Sequence, residues 1–187
     1  MANIYLSSTL LWNGSMEEIF DMVFQSGLDG IELWSQQFFY RKFDIDEFEK
    51  LAALYPLKNC IHSQSWDLNI SSVNDGIRKQ SVTEVKKSVE LAYQLGLDEV
   101  TVHPGHCTIS GIGVSYGAYL KESLREILEY AQKWKIDVSL EIMEKIPREF
   151  VTTMDAMKEV SGDMFDQFVY TLGGDHCDRE EEILSIL

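Results

Sequence analysis

Six short β-rich runs alternate with longer amphipathic segments, and that alternation constrains this chain more than any other feature of it. The runs cover residues 3–6, 30–34, 57–62, 99–103, 137–141 and 168–172. A strand that returns beside a parallel neighbour needs a long crossover, usually a helix, so the pattern predicts βα units on a parallel sheet. Helix punctuation agrees. Ser15 with Glu18, and Ser81 with Glu84, fit the S/T-x-x-E capping box that satisfies free amides at a helix start. Gly27 and Gly96 stand where a left-handed C-terminal cap belongs. Val82, Val85, Val89 and Ala92 recur at helical spacing, as do Leu120, Leu124, Ile127, Leu128 and Ala131. Each set predicts one apolar helix face laid on the sheet. Pro147 suits the first turn of a further helix, with Phe150, Met154 and Met157 on its buried face.

Length then narrows the architecture. Six units in 187 residues is about 31 residues each, whereas a complete (β/α)₈ barrel takes about 250 residues. The expectation is one α/β domain over residues 1–187. It is either a (β/α) TIM-barrel type, incomplete with about six βα units, or an open doubly wound parallel sheet. No linker or low-complexity tract divides it.

Composition excludes several function classes. With 45% hydrophobic and 25% charged residues the chain is neither disordered nor collagen-like. The 16 basic and 31 acidic side chains leave a net charge of −15, which opposes attraction to phosphate backbones and predicts no nucleic-acid partner. No run approaches the ~18–20 consecutive apolar residues of a membrane span, and the first residues lack a basic leader. Cys60, Cys107 and Cys177 are widely spaced without a CxxC pair and read as reduced thiols. A cytoplasmic protein with no membrane partner is expected.

The chemistry-bearing residues gather in one place. Glu32, His62, His103 and Glu141 each lie at or near the C-terminal end of a predicted strand, and His176 follows the sixth. Parallel strands deliver those ends to one face, where barrel and doubly wound active sites form. Alternation in VTVHPG sets Thr101 with His103, and in DVSLEIM sets Ser139 with Glu141, leaving the apolar residues to face the helices. One strand-end histidine is ordinarily a hydrogen-bonded structural residue. Two histidines and a glutamate on one rim instead suit a divalent metal such as Zn²⁺ or Mn²⁺. Trp12, Trp34 and Trp66, also near strand ends, suit either core packing or stacking on a sugar ring. The glycine-rich stretch 111–117 lacks the G-x-G-x-x-G spacing and reads as a loop. His106 and Cys107 are left out of the set, because a turn does not aim three neighbours at one ion.

The segments CIHSQSWDLNISS, RKQSVTEVKKSVELAYQLGLDEVTVHPG and VSLEIM resemble the xylose-isomerase-like TIM-barrel superfamily, which holds sugar isomerases and epimerases and the type IV apurinic endonucleases. In the endonuclease branch the resemblance implies zinc ligands at His62, His103 and Glu141. In the ketose epimerase branch it implies that Glu141 is both a metal ligand and a proton-transferring carboxylate. A D-x-x-H motif follows the sixth strand in that family, its Asp on the metal and its His on substrate. Here it reads Gly173-Gly174-Asp175-His176, so His176 matches and Gly173 stands at the Asp position, with Asp175 on a pliable turn as the substitute. The ligands and second catalytic Glu that the family places after its seventh and eighth strands have no counterpart in these residues.

The function expected on this basis is that of a sugar isomerase/epimerase-like protein, with metal-assisted proton transfer on a small sugar or polyol. Glu141 is the candidate catalytic residue. The candidate metal ligands, for Mn or Zn, are Glu141, His103, His62, His176 and Asp175. His176, Trp34, Trp66 and Glu32 are the candidate contacts to a sugar or sugar phosphate. One alternative is a truncated, catalytically inactive barrel. Another is a type IV endonuclease-like metal-dependent phosphodiesterase, which would need a basic face. Exposed sheet edges recruit other chains, so a homodimer is expected, unless the acidic tail 178–187 folds over the gap.

Overall fold

In β2 (Gly30–Trp34), β4 (Glu99–Val102) and β5 (Asp137–Ile142) every second side chain is apolar and buried, and β3 (Lys58–His62) contributes Ile61 to the same face. Ile31, Leu33, Ile61, Val100, Val102, Val138, Leu140 and Ile142 form one cluster with the helices. With β1 (Tyr5–Ser7) and β6 (Val169–Leu172) these strands make a six-stranded parallel sheet in the order β1-β2-β3-β4-β5-β6. The computed structural model describes residues 3–109 and 115–173. A doubly wound sheet reverses its strand order at a switch point. Here the order never reverses, which excludes the open doubly wound alternative and leaves a curled half-barrel with helices between the strands.

The helices follow from local chemistry. The capping box of α1 (Met16–Ser26) forms in full: Ser15 accepts from the Glu18 amide and Glu18 from the Ser15 amide. Gly27 then ends the helix at φ 68°, a conformation that costs a side-chain-bearing residue about 1–2 kcal/mol. α2 (Ser35–Arg41) follows β2 directly, and α3 (Ile45–Leu54) starts at the Asp44 cap. α4 (Asp75–Gln94) begins six residues before the predicted Ser81–Glu84 box, because Asn74 accepts from the Gly76 and Ile77 amides. Ser81 lies inside the helix, donating back to the Ile77 carbonyl and accepting from the Asn69 amide. Gly96 ends α4 as predicted, with the Leu97 amide on the Ala92 carbonyl and the Gly96 amide on Tyr93. The predicted face of α5 (Tyr116–Trp134) is buried throughout. α6 (Met154–Ser161) starts at the Thr153 cap and not at Pro147. Pro147 lies in a turn that folds back on β5, where the Met143 amide donates to Val151 and the Glu149 amide to Ile146.

Gly30 is sterically required. A Cβ there would lie 1.6 Å from the Lys58 carbonyl oxygen, so the start of β2 can approach β3 only without a side chain. The outer face of the sheet carries the stability, since fully burying a Val, Leu, Ile or Phe contributes about 1.5–3 kcal/mol. The inner face is polar and carries the site. β1 pairs with β2 and β6 with β5, so each edge strand has one partner among the described residues. No helix of the described residues is long and apolar enough to cross a membrane.

Candidate active site

Register brings three of the predicted residues together. His62 ends β3 opposite Thr101, and Thr101 stands opposite Ser139. Two residues further along each chain, His103 and Glu141 rise on the same inner face. His62 Nε2 lies 2.9 Å from His103 Nε2 and 3.3 Å from Glu141 Oε2, and His103 Nε2 lies 2.8 Å from that same oxygen. His62 and Glu141 are buried and His103 is half-buried.

The hydrogen bonds define the protons. His62 Nδ1 is 2.8 Å from the Ser63 carbonyl, which only accepts, so Nδ1 donates. A protonated His62 donates from Nε2 to the Glu141 oxygen 3.3 Å away, whereas a neutral one turns its Nε2 lone pair into the cluster. His103 Nε2–H then faces a lone pair on His62 and an oxygen of Glu141. Burial alone would raise the Glu141 pKa, but hydrogen bonds from His103 and His62 outweigh it and hold the carboxyl far below its usual range. Burial also opposes charge on His62, yet Glu32 and Glu141 raise its pKa above the ordinary value. His103 moves the other way, lowered chiefly by burial.

This donor set fits a cation. His62, His103 and Glu141 each offer one ligand atom, all within 4.8 Å of one another. Ligand atoms on one ion with bonds of about 2.1 Å stand about 3.0–3.4 Å apart in octahedral or tetrahedral geometry. The observed separations of 2.8 to 3.3 Å need only a small outward relaxation. Occupancy would displace the His103 Nε2 proton, so binding weakens as pH falls.

The surroundings are aromatic. The Trp34 indole stacks on the His62 ring at 3.9 Å with 4° between planes and meets His103 edge-on. Trp66 packs against Trp34 with centroids 5.5 Å apart and keeps 46% of its surface exposed. Glu32 corrects the expectation that it reaches the rim: it pairs in register with Ser7 and Cys60, one layer below Trp34 and His62. It acts on the site through its charge on His62. Gly173 follows β6 and brings no side chain. Asp175 and His176 lie outside the described residues, as does the tail 178–187. Trp12 and Tyr40 extend the aromatic cluster. Tyr40 had no sequence signal, because it sits on α2, which has no punctuation of its own.

Residues 20–169 match the family model described as xylose isomerase-like TIM barrel. The chain belongs to this family. Among curated relatives of this TIM-barrel family member, the uncharacterised protein MJ1188 of Methanocaldococcus jannaschii is 30% identical over 154 residues, 79% of this chain and 57% of its own. A second from that organism, MJ1311, is 28% identical over 114 residues, 59% of this chain and 38% of its own. The chain thus spans less than two thirds of the length of either. Solved structures share the fold. A D-tagatose 3-epimerase-like protein superposes with a TM-score of 0.74 at 23% identity, covering 87% of this chain and 61% of its own. The 3-keto-D-glucoside 4-epimerase YcjR of E. coli reaches 0.78 at 15% identity, covering 99% and 73%.

Proposed function

We propose that the rim of this xylose isomerase-like barrel binds a divalent cation, Mn²⁺ or Zn²⁺, and isomerises or epimerises a small sugar, sugar phosphate or related polyol. The observation that carries this reading is the convergence of His62 Nε2, His103 Nε2 and Glu141 Oε2 at the C-terminal ends of three adjacent strands. The names of the fold neighbours, epimerases of ketoses and of a keto-glucoside, support the substrate class. The three residues would hold the cation, whose chemistry is to polarise a carbonyl and its neighbouring hydroxyl.

Glu141 is the candidate proton acceptor. It takes a proton from the carbon beside the carbonyl, and the C–H electron pair moves onto the carbonyl oxygen as an enediolate; a proton delivered to the opposite face of that carbon gives the epimer, and one delivered to the former carbonyl carbon, with the hydroxyl proton lost, gives the isomer. A carboxylate held at low pKa is a weak base, so it needs the acidified C–H that carbonyl polarisation provides. His62, fixed by Ser63 and stacked on Trp34, presents Nε2 to the cation. Trp34 and Trp66 offer apolar faces to the sugar ring.

A second reading, cation binding without turnover, draws on Gly173, which offers no side-chain donor after β6. Incubation with Mn²⁺ and a panel of ketoses in D₂O separates the two. Deuterium should enter the sugar with wild type, and Glu141→Gln should abolish it, since an amide cannot take the proton. Exchange that persists in Glu141→Gln removes Glu141 as the base, and cleavage of abasic DNA without sugar exchange would reverse the substrate assignment.

A further inference from the structure

An aromatic track leaves the candidate site and continues well beyond it. From His62 the ring centroids step 3.9 Å to Trp34, 5.5 Å to Trp66, 4.8 Å to Trp12 and 5.6 Å to Tyr40. The four aromatic residues come from separate places: Trp12 after β1, Trp34 at the end of β2, Tyr40 on α2 and Trp66 after β3. Four chain segments therefore present their rings on one side of the rim. Trp66 and Tyr40 are exposed, at 46% and 72%, and Trp34 and Trp12 are half-buried. Trp66 is held in place, its amide donating to the Gln36 side chain at 3.1 Å. Trp34 Nε1, at the start of the track, is buried with no hydrogen-bond partner among the described residues.

A single sugar at the His62–His103–Glu141 cluster occupies only the Trp34 end. Resting on the proposed sugar reading, we infer that the substrate carries a second sugar ring, which stacks on Trp66 and Trp12 while the reacting ring lies over the cation ligands. Sugar rings present C–H faces that suit indole, and rigid aromatics bind them at low entropy cost.

The test compares fructose with lactulose, a galactosyl-fructose, by intrinsic tryptophan fluorescence in the presence of Mn²⁺. Lactulose should bind about five- to tenfold more tightly than fructose, the factor expected for one added aromatic stack. Trp66→Ala should erase that preference, with Mn²⁺ affinity by calorimetry unchanged as the check on folding. Tyr40→Ala separates the two ends of the track: it should leave the preference largely intact, since Tyr40 lies beyond the second ring. Equal affinities for the two sugars in wild type overturn the two-ring inference while leaving the proton-transfer reading standing. Mn²⁺ binding with no affinity for either sugar overturns both. A lactulose preference that survives Trp66→Ala overturns the assignment to the track, and a dimer dispersed by Tyr40→Ala assigns the track to a second copy of this chain.

Discussion

Glu141→Gln tests the site with readouts that need no substrate. Without metal, the amide loses a carboxylate that accepts from His103 at 2.8 Å and from His62 at 3.3 Å. Hydrogen bonds to charged groups contribute about 1.5–3 kcal/mol, but the longer contact counts for less. The expected cost is about 2 kcal/mol, and at about 2–4 °C per kcal/mol for a chain of this size it lowers the melting midpoint by about 4–8 °C. Metal changes the comparison. At a free Mn²⁺ concentration one hundred times its dissociation constant, a site present only in the folded state gains about 2.7 kcal/mol. Wild type should then melt about 5–11 °C higher than in chelator. The variant keeps two imidazoles and loses the one anionic ligand, so its gain should be a small fraction of that. Thermal melts followed by circular dichroism at pH 7, in chelator and then in Mn²⁺, measure all four midpoints. Equal Mn²⁺ shifts in both proteins would refute the ligand role of Glu141. A variant as stable as wild type in chelator would refute the hydrogen-bonded description of the cluster.

Two further outcomes concern the inner face and the edges. Burial, then the neighbouring Asp98 and Asp137, push the Glu99 carboxyl above its ordinary pKa. A raised folded-state pKa means stability that is fully present below the unfolded value of about 4.3 and is lost as pH rises through the folded value. Glu99→Gln should therefore be more stable than wild type at pH 7 and lose that advantage near pH 4 in denaturant titrations, and a variant less stable at pH 7 would refute it. The outer edges of β1 and β6 are expected to drive self-association, and light scattering over a dilution series that shows a monomer at micromolar concentration would refute this.

The strands were legible because alternation along them is strong. The predicted runs at 30–34 and 137–141 match β2 and all but the last residue of β5. The helix starts were less so. Ser81–Glu84 satisfies the capping pattern, yet Asn74 supplies a cap seven residues earlier and the apolar face continues back to it, so a local motif lost to a longer helix. α2 was invisible because Trp34 is at once the end of β2 and the residue before α2, with no turn residue between them. In the site, His62, His103 and Glu141 could be read from strand ends alone. Glu32 could not be placed, because its depth depends on pairing with Cys60, and neither could the Trp34–His62 stack, which follows from their being opposite each other across β2 and β3.

That register also explains why the cluster is held so closely. His62, His103 and Glu141 belong to β3, the end of β4, and β5, and each of these strands is paired on both sides. His62 is held by ladders on both sides, Glu141 pairs with Thr171 of the edge strand β6, and His103 stands one residue beyond the end of β4. The side chains are fixed in turn by contacts made on the same strands: Ser63 orients His62, Trp34 covers its face, and the two histidines share the Glu141 oxygen. A ligand group whose rotamer is already locked loses little entropy when a cation arrives. What remains to be supplied is chemistry beyond three donors, and the fold places that demand at β6 and after it, where Gly173 brings no side chain. A cation at this site would be held by side chains of β3, of β5 and of the residue after β4. Turnover depends on whatever group reaches the open side of the same rim.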